Sequence, residues 1–218
     1  QVKTLRRIVF YVVTIVCNLF ALYLSGSRTA WIPFVVTIPF MFLINKRFIY
    51  FTTSMAGIGG AGLLLLLEPK LMQRATIFQD FAKRSNIWET AIKGIQAHPL
   101  LGEGPLTYFH IYKQYHGHPT QHAHSIYLDP ILSHGIIGVI LAGIYFAGNL
   151  KEVYLLLKRR IDLRLFSLIS AFILTILIHG ILDYTVYWVQ TGLLFLIVLS
   201  ASSMYFHKEQ PYDIQEEH

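Results

Sequence analysis

Residues 126–150 read IYLDPILSHGIIGVILAGIYFAGNL and contain a single charged side chain, Asp129. A transmembrane helix needs about 20 predominantly apolar residues to cross a hydrocarbon core roughly 30 Å thick. This stretch meets that requirement, so we interpret it as a membrane-spanning helix.

The composition of the whole chain supports a membrane protein. Its 218 residues are 54% hydrophobic and 14% charged, with a mean hydropathy of +0.50. Soluble domains carry about 25% charged residues, so the chain has too few charges to cover a surface that faces water. The composition excludes a disordered chain and an ordinary cytosolic enzyme, and the single cysteine, Cys17, excludes a disulfide scaffold.

Five further apolar segments lie on either side of this stretch. The six segments span about residues 8–24, 30–44, 48–67, 126–150, 165–182 and 186–206. Backbone inside a bilayer must satisfy its own hydrogen bonds, so we expect each segment to be a helix and the fold to be all-α, with about six spans. The second segment is short and contains Pro33 and Pro39, so we expect it to be kinked or tilted.

The distribution of positive charge predicts the orientation of these spans. If the six segments alternate across the membrane, eleven of the 18 lysines and arginines fall on one side: Lys3, Arg6, Arg7, Lys46, Arg47, Lys151, Lys158, Arg159, Arg160, Arg164 and Lys208. Cytoplasmic loops are enriched in Lys and Arg, so we predict that this side is the cytoplasm. The same enrichment explains the net charge of +6 without a nucleic-acid partner.

The spans divide the chain into four parts. Residues 1–67 and residues 126–206 are each predicted to hold three transmembrane helices. Residues 68–125 form a large extracytoplasmic loop between them, and residues 207–218 form a cytoplasmic tail. We expect the chain to be the later part of a longer polytopic protein, because it begins with Gln1 and its first span leads to another span rather than to a soluble domain.

The 68–125 loop has the composition of a folded segment. Loops longer than about 12–15 residues are usually functional or disordered, and this one has enough apolar side chains to form a small core. Asn86 with Glu89 resembles a helix capping box, and Pro99 marks a helix end. We therefore predict a helix over residues 86–97 that lies on the bilayer surface or on the helix bundle.

Two arginines on the predicted outer side are candidate anion-binding residues. Arg28 lies in the turn between the first two segments, and Arg84, next to Lys83, lies at the entry of the predicted loop helix. A guanidinium pairs bidentately with phosphate, and a helix N-terminus attracts anions through its free amides. The two arginines could form a site the size of a pyrophosphate. The alternative is that Arg28 contacts lipid phosphate and Arg84 is simply solvated.

Four histidines lie near the end of the loop, and two interpretations of them stay open. His116, His118, His122 and His124 could bind zinc, although no cysteine is near them and Asp129 is the one carboxylate close in sequence. Otherwise a single histidine is catalytic. His124 is then the best placed, because it lies at the start of the fourth apolar segment. Imidazole ionises near neutral pH and can take a proton from an attacking hydroxyl.

Further ionisable side chains lie within or beside the apolar segments. Asp129 and His134 belong to the fourth segment, and Asp129 precedes a proline that we expect to kink it near its outer end. His179 and Asp183 lie one turn apart at the end of the fifth. Such groups indicate function: the second pair could interact with each other, orient His124, or contact a substrate. The alternative is that all four belong to the pathway of a transporter or channel subunit, but they lie toward the predicted outer ends of the segments, which favours an enzyme.

Three stretches of the sequence resemble, in the same order, the O-antigen ligase and O-antigen polymerase superfamily. Residues 25–28 resemble its Ser-Arg turn, and residues 84–105 resemble the start of its large periplasmic loop. Its signature of His, then Asn, Ser or Gln, nine residues, Gly, two residues and Gly is matched by His124, Ser125, Gly135 and Gly138. Taken alone, the two glycines would only indicate a face for helix packing.

The resemblance implies a membrane-embedded glycosyltransferase of the GT-C type in the bacterial cytoplasmic membrane. Such enzymes are metal-independent and inverting, use no cofactor, span the membrane about twelve times and act at its outer face. Their donor is a glycan on a polyprenyl pyrophosphate, and their acceptor is a hydroxyl of another glycan or of a lipid. Ligation to a lipid or wall acceptor and polymerisation of repeat units both remain open.

The resemblance also implies roles for individual residues. Carried over by motif, Arg28 and Arg84 would bind the pyrophosphate, and His124 would activate the acceptor hydroxyl. The supporting residues expected around this histidine are His122, His179 and Asp183. Pyrophosphate departs readily, so charge stabilisation by arginine matters more than a general acid, whereas a sugar hydroxyl benefits from a positioned base.

Overall fold

The computed structural model describes residues 2–27, 29–67 and 74–206, and the side chains of these residues except those of 2–3, 65 and 74–80. Every regular element in these ranges is helical, which confirms the all-α prediction. The α-helices are α1 (Val2–Leu24), α2 (Trp31–Ile44), α3 (Phe48–Leu67), α4 (Arg74–Ala97), α5 (Thr107–Ile111), α6 (Asp129–Lys158), α7 (Leu163–His179) and α8 (Val189–Ser200). Short 3₁₀ turns at Thr185–Tyr187 and Ala201–Tyr205 flank α8.

Two of these helices are long and apolar enough to cross a membrane on length and composition. They are Thr4–Leu24 and Asp129–Lys158. The other apolar helices are shorter, at Trp31–Ile44, Phe48–Leu64, Leu163–His179 and Val189–Tyr205. The number of six spans and their alternation therefore stay predictions, and the predicted tail of residues 207–218 lies outside the described residues.

The apolar helices pack through α2, α6 and α7. Helix α2 contacts α3 and α7, and α7 contacts α6 and α8. One polar contact joins α2 to α7, where the Asn45 amide donates to Ser167 Oγ at 2.7 Å. Interhelical hydrogen bonds of this kind stabilise helix pairs where water is absent. Helix α1 is exposed along almost its whole length, as expected of a helix that meets lipid or further protein.

The loop between α3 and α6 forms its own small core on the N-terminal end of α6. Ile87 and Ala91 of α4 are buried against Tyr108 and Ile111 from α5 and against Leu132 of α6. The predicted loop helix therefore packs on the helix bundle, one of the two placements that the sequence left open.

The start of the loop helix was predicted wrongly. Helix α4 ends at Ala97, as expected, but begins at Arg74 rather than at Asn86. Asn86 lies inside the helix, and its side chain accepts a hydrogen bond from His118 N at 2.6 Å instead of capping. Glu89, the second residue of the supposed capping box, pairs with Lys93 at 2.7 Å on the exposed face. The Asn-x-x-Glu pattern therefore serves two unrelated contacts within a continuous helix.

The break in α6 also differs from the prediction. The Asp129-Pro130 pair begins the helix, and the interruption lies at Gly135, where φ is 64° and ψ is −177°. The chain after α4 fits into this break: Gly104 N donates to Ser133 O at 2.8 Å, and Ile136 N donates to Pro99 O at 2.9 Å. The turn thus satisfies backbone groups that the interrupted helix leaves without partners.

Close backbone approach explains two glycines of the motifs. A Cβ on Gly135 would collide with the Leu100 carbonyl, and a Cβ on Gly102 would lie 2.5 Å from the Ser133 carbonyl carbon. Both glycines also have positive φ, which other residues adopt only with strain. Gly135, the first glycine of the signature, therefore holds the loop and α6 together by their backbones.

Candidate active site

His124 lies in the irregular segment just before α6 and is held in place by its surroundings. Its φ is 45°, a left-handed conformation that costs energy for a residue with a side chain. Its carbonyl accepts from the Trp88 indole at 3.4 Å, and its amide donates to His122 Nδ1 at 3.2 Å. The preceding amide, of Ala123, donates to Asp129 Oδ2 at 2.6 Å. These contacts hold the strained backbone in a single position.

Asp183 orients the ring of His124. Its Oδ1 lies 3.0 Å from His124 Nδ1 and also accepts from the Tyr184 amide at 2.8 Å. Burial alone would raise the pKa of Asp183, but the hydrogen bonds from His124 and Tyr184 outweigh it and lower that pKa to about 2. The group is therefore a carboxylate, which can only accept. Nδ1 of His124 carries the proton, and Nε2 holds the lone pair of the neutral ring.

Thr120 faces the other nitrogen of the same ring. Its Oγ1 lies 3.2 Å from His124 Nε2. In the neutral ring with its proton on Nδ1, Nε2 is the acceptor and the Thr120 hydroxyl is the donor. The three side chains form a hydroxyl–imidazole–carboxylate series, an arrangement suited to removing a proton from an oxygen at Nε2.

His122 is a buried neutral partner of the site. Its side chain is 6% exposed, and its ring centroid lies 4.3 Å from that of His124 and 4.8 Å from that of Tyr187. Burial is the main cause that lowers the pKa of His122 to about 4, and the nearby His124 and Arg84 add to it, while Asp183 opposes them. At neutral pH His122 is therefore uncharged, and its Nδ1 accepts the His124 amide.

A cleft of about 230 Å³ lies beside His124 and Thr120. Its lining residues are Lys83, Arg84, Ile87, His118, Pro119, Thr120 and His124. Arg84 Nη1 is buried and has no hydrogen-bond partner among the described residues. A buried guanidinium nitrogen without a partner is costly, so Arg84 lines the cleft with a donor that the described residues leave unsatisfied.

Lys83 and Arg84 line the cleft for a different reason from the one predicted from the sequence. Lys83 and Arg84 lie well inside α4 rather than at its N-terminus. The argument from free amides at a helix end therefore does not apply to them. They face the cleft because they share a helical face with Ile87, which lies one turn later. The positive charge at the cleft comes from side chains alone.

The wall of the cleft opposite α4 is anchored at several points. Tyr108 donates to His118 O at 3.1 Å, and His118 N donates to Asn86 Oδ1 at 2.6 Å. A Cβ on Gly117 would lie 2.6 Å from Thr90 Oγ1, so the backbone runs directly against α4. These contacts hold the segment that carries Thr120.

The remaining predicted residues divide between the site and other places. His179 Nε2 lies 3.2 Å from Thr29 Oγ1, so this histidine holds the turn between α1 and α2 rather than His124. Arg28, in the same turn, lies outside the described residues. His116 and His134 are exposed and do not join the cluster around His124.

One group in the described part of the chain has the composition and spacing of a metal site. Ligand atoms of His122, His124 and Asp183 all lie within 4.8 Å of one another. It differs from the four-histidine zinc site considered from the sequence, because His116 and His118 are not part of it. Each of its members already makes a hydrogen bond in the network around His124.

Two contributors were not recognised from the sequence. Thr120 lies in an irregular loop, where no periodic pattern marks a side chain as functional. Trp88 lies in α4, and its indole nitrogen donates to the His124 carbonyl and so supports the His124 backbone. Only the position of Thr120, four residues before the histidine of the signature, could have drawn attention to it.

The fold and the site define an all-helical membrane protein that presents a histidine–aspartate pair beside a cationic cleft. The chain belongs to the O-antigen ligase family, whose profile matches residues 13–143, more than half of the sequence. That family consists of bacterial inner-membrane proteins, and it implies ligase- or polymerase-like transfer of lipid-linked glycans. The match includes Arg84 and His124 but ends before Asp183.

Comparison with curated proteins and with solved structures found no match.

Proposed function

We propose that this protein transfers a glycan from a polyprenyl-pyrophosphate donor to an acceptor hydroxyl at the outer face of the cytoplasmic membrane. The observation that carries the proposal is the 3.0 Å contact between His124 Nδ1 and Asp183 Oδ1, at the edge of a cleft that Arg84 also lines. A base beside the cleft can take the proton of the attacking hydroxyl. A cation beside the same cleft can stabilise the pyrophosphate that leaves in the same reaction. Ligation and polymerisation use the same chemistry, so both are included.

His124 acts as the general base in this proposal. The acceptor oxygen attacks the anomeric carbon of the donor, and its proton moves to His124 Nε2 as the new C–O bond forms. Asp183 keeps the proton on Nδ1 and stabilises the imidazolium that results. A positioned base of this kind contributes about 10²–10⁴-fold to the rate. Attack opposite the leaving group inverts the anomeric centre.

Arg84 stabilises the leaving group. The bond from the anomeric carbon to the pyrophosphate breaks, and negative charge grows on the phosphate oxygen. The buried Nη1 of Arg84, without a partner among the described residues, can donate to that oxygen. Lys83 adds charge at the more exposed side of the cleft. Arg28 is the second proposed pyrophosphate ligand, and its neighbour Thr29 contacts His179.

This chemistry needs neither a metal nor a cofactor. The acceptor proton has a base and the pyrophosphate has cations, so the proposed displacement is complete with side chains of this chain. His122 supports the base through the His124 amide, and His179 supports the turn that contains Arg28.

The proposed orientation puts these groups on the extracytoplasmic side. We propose three spans in residues 1–67, an outer loop at 68–125, three spans in 126–206 and a cytoplasmic tail at 207–218. The Lys and Arg distribution supports this order. In that arrangement Arg84, His124 and Asp183 all lie where a donor glycan at the outer face can reach them.

The test is glycan transfer by the full-length protein, with a polyprenyl-pyrophosphate glycan as donor. We expect His124→Ala and Arg84→Ala each to lower the transfer rate by about 10²-fold or more. His110→Ala is the matched control, because His110 is an exposed histidine of the same loop. Inversion is checked by NMR of the anomeric configuration of the product. Normal transfer by both site variants, or retention at the anomeric carbon, would refute the proposal.

A zinc-dependent enzyme is the second candidate, and the cluster of His122, His124 and Asp183 favours it. In that case a bound metal would take the place of the hydrogen bonds within the cluster and activate the acceptor oxygen. Metal analysis of the purified protein and transfer in the presence of a chelator separate the two candidates. Stoichiometric metal that depends on His122, together with loss of transfer on chelation, would establish the second.

A further inference from the structure

Thr120 occupies the position that the acceptor must take. In the proposed function, a hydroxyl has to donate to His124 Nε2 before its oxygen can attack. In the structure, Thr120 Oγ1 lies 3.2 Å from His124 Nε2, and its hydroxyl donates to that nitrogen when the neutral ring carries its proton on Nδ1. It is the one hydrogen bond that this hydroxyl makes among the described residues. The lone pair of the base is therefore covered by a side chain of the protein itself.

We propose that Thr120 shields the base against water and is displaced by the acceptor hydroxyl. This inference rests on the proposed function and adds a residue that decides which acceptor reacts. Thr120 does not contact the reacting atoms in the transition state, so it is a positioning residue rather than a catalytic one. Its role is to keep the rate of glycan transfer higher than the rate at which water hydrolyses the donor.

The geometry allows this displacement at low cost. The segment before Thr120 is anchored through His118 to Tyr108 and Asn86, so its backbone keeps the side chain close to His124. Rotation about one side-chain bond is enough to remove the hydroxyl from Nε2. A β-branched side chain has few rotamers, so the hydroxyl returns to the same position when the acceptor leaves.

Hydrolysis is the side reaction that the shield opposes. In it, a water oxygen attacks the anomeric carbon and the water proton passes to His124 Nε2. The bond to the pyrophosphate breaks, and the products are a free glycan and polyprenyl pyrophosphate. Water is small and abundant, so an uncovered base beside Arg84 would activate it whenever a donor is bound. A sugar acceptor can displace Thr120, because its own contacts in the cleft offset the lost hydrogen bond.

The first experiment measures how the bound donor divides between transfer and hydrolysis. Thr120→Val keeps the shape of the side chain but removes the hydroxyl, so we expect the ratio of hydrolysis to transfer to rise about fivefold, the equivalent of one hydrogen bond. Thr120→Ser keeps a hydroxyl and is expected to retain the wild-type ratio. Thr120→Ala serves as a second variant if the valine variant does not fold.

A second measurement does not depend on transfer. Diethyl pyrocarbonate acylates an imidazole nitrogen that has a free lone pair, and peptide mass spectrometry reads the rate at His124. We expect this rate to rise about fivefold in Thr120→Val and to stay near wild type in Thr120→Ser. An unchanged rate overturns the shield whatever the enzymatic result. His110, in the same protein, reports any general change in reagent access.

The outcomes separate this inference from the proposed function. Normal wild-type transfer with an unchanged hydrolysis ratio in Thr120→Val overturns the shield alone. A loss of transfer in Thr120→Val as large as that in His124→Ala, without more hydrolysis, would also overturn it, because Thr120 would then relay the proton. A wild-type protein that transfers no glycan refutes the proposed function, and the shield fails with it.

Discussion

The two ends of α6 are built in different ways. At its N-terminal end the helix is interrupted at Gly135, and polar side chains converge on His124 just before it. At its C-terminal end the helix is regular, and Leu156 packs with Ile169 of α7 and Leu199 of α8 in an apolar cluster. Polar contacts also join elements there: Glu152 of α6 accepts hydrogen bonds from Ser202 and Ser203 in the 3₁₀ turn after α8.

This difference separates function from stability within one helix. The positive φ of His124 and a buried Arg84 nitrogen without a partner among the described residues both cost folding free energy. They occur together at the N-terminal end, where a strained, charged arrangement can act on a substrate. The C-terminal end, by contrast, has close apolar packing. Changes at the first end should therefore affect activity, and changes at the second should affect stability.

The largest effect is expected from Gly135→Ala, which breaks the junction between the loop and α6. A Cβ there collides with the Leu100 carbonyl, and φ is 64°. We expect little folded protein on size-exclusion chromatography in detergent and no transfer. Gly143→Ala, in the same helix, is the control, because nothing lies within 4 Å of the added Cβ. A folded and active Gly135→Ala variant would show that the insertion is not needed.

Asp183→Asn should impair activity without unfolding the protein. The amide no longer holds the proton on His124 Nδ1, so we expect a fall in transfer rate of about 10²–10⁴-fold and little change in Tm. Asp162→Ala should show the opposite pattern, since Asp162 caps α7 by accepting from the Arg164 and Leu165 amides at 2.9 Å each. Losing that cap costs about 1 kcal/mol. If both variants lost activity equally, the division between the two ends would be wrong.

Leu156→Ala tests the packed end of α6. Leu156 is fully buried, and the cavity left by truncation should lower the free energy of unfolding by about 2 kcal/mol or more. Thermal unfolding in detergent should show Tm falling by several degrees, while the transfer rate below that temperature stays near wild type. Loss of transfer by protein that is still folded would contradict this assignment.

The smallest effect is a pH dependence of stability from His122. Its pKa is about 4 in the folded protein, against an ordinary value of 6.5. Between these values the unfolded chain binds more protons, so stability is fully present above about pH 6.5 and is lost as the pH falls toward 4. His122→Asn keeps an acceptor for the His124 amide and should flatten this dependence, by a few degrees of Tm at pH 5. If Tm depended on pH in the same way in wild type and in His122→Asn, His122 would not be the source of this dependence.

Much of the fold could be predicted from the sequence because it depends on local composition. The predicted third segment, 48–67, coincides with α3, and the end of the loop helix at Ala97 was found from the following proline. The start of α4 was missed, because a polar residue such as Asn86 serves equally well as a cap or inside a helix. The break at Gly135 was missed because its cause is a second segment, the turn from Pro99 to Gly104.

The candidate site was predicted only in part, for a related reason. The resemblance to the family made His124 and Arg84 candidates, and the structure places both along one cleft. The sequence left three roles open for Asp183 and none was assigned to Thr120. The contact between His124 and Asp183 joins residues 59 positions apart. A local pattern of polar and apolar residues cannot reveal a contact over such a separation in sequence.

The sequence by itself contains the motifs of the O-antigen ligase family. Its apolar runs and its placement of Lys and Arg determine helical segments and the expected orientation of each. These properties follow from transfer free energies that each segment has by itself. The packing of α6 against α7 and the insertion of the loop at Gly135 decide which side chains meet His124. That outcome belongs to the tertiary structure, because it depends on how separate helices approach one another and not on what any one of them contains.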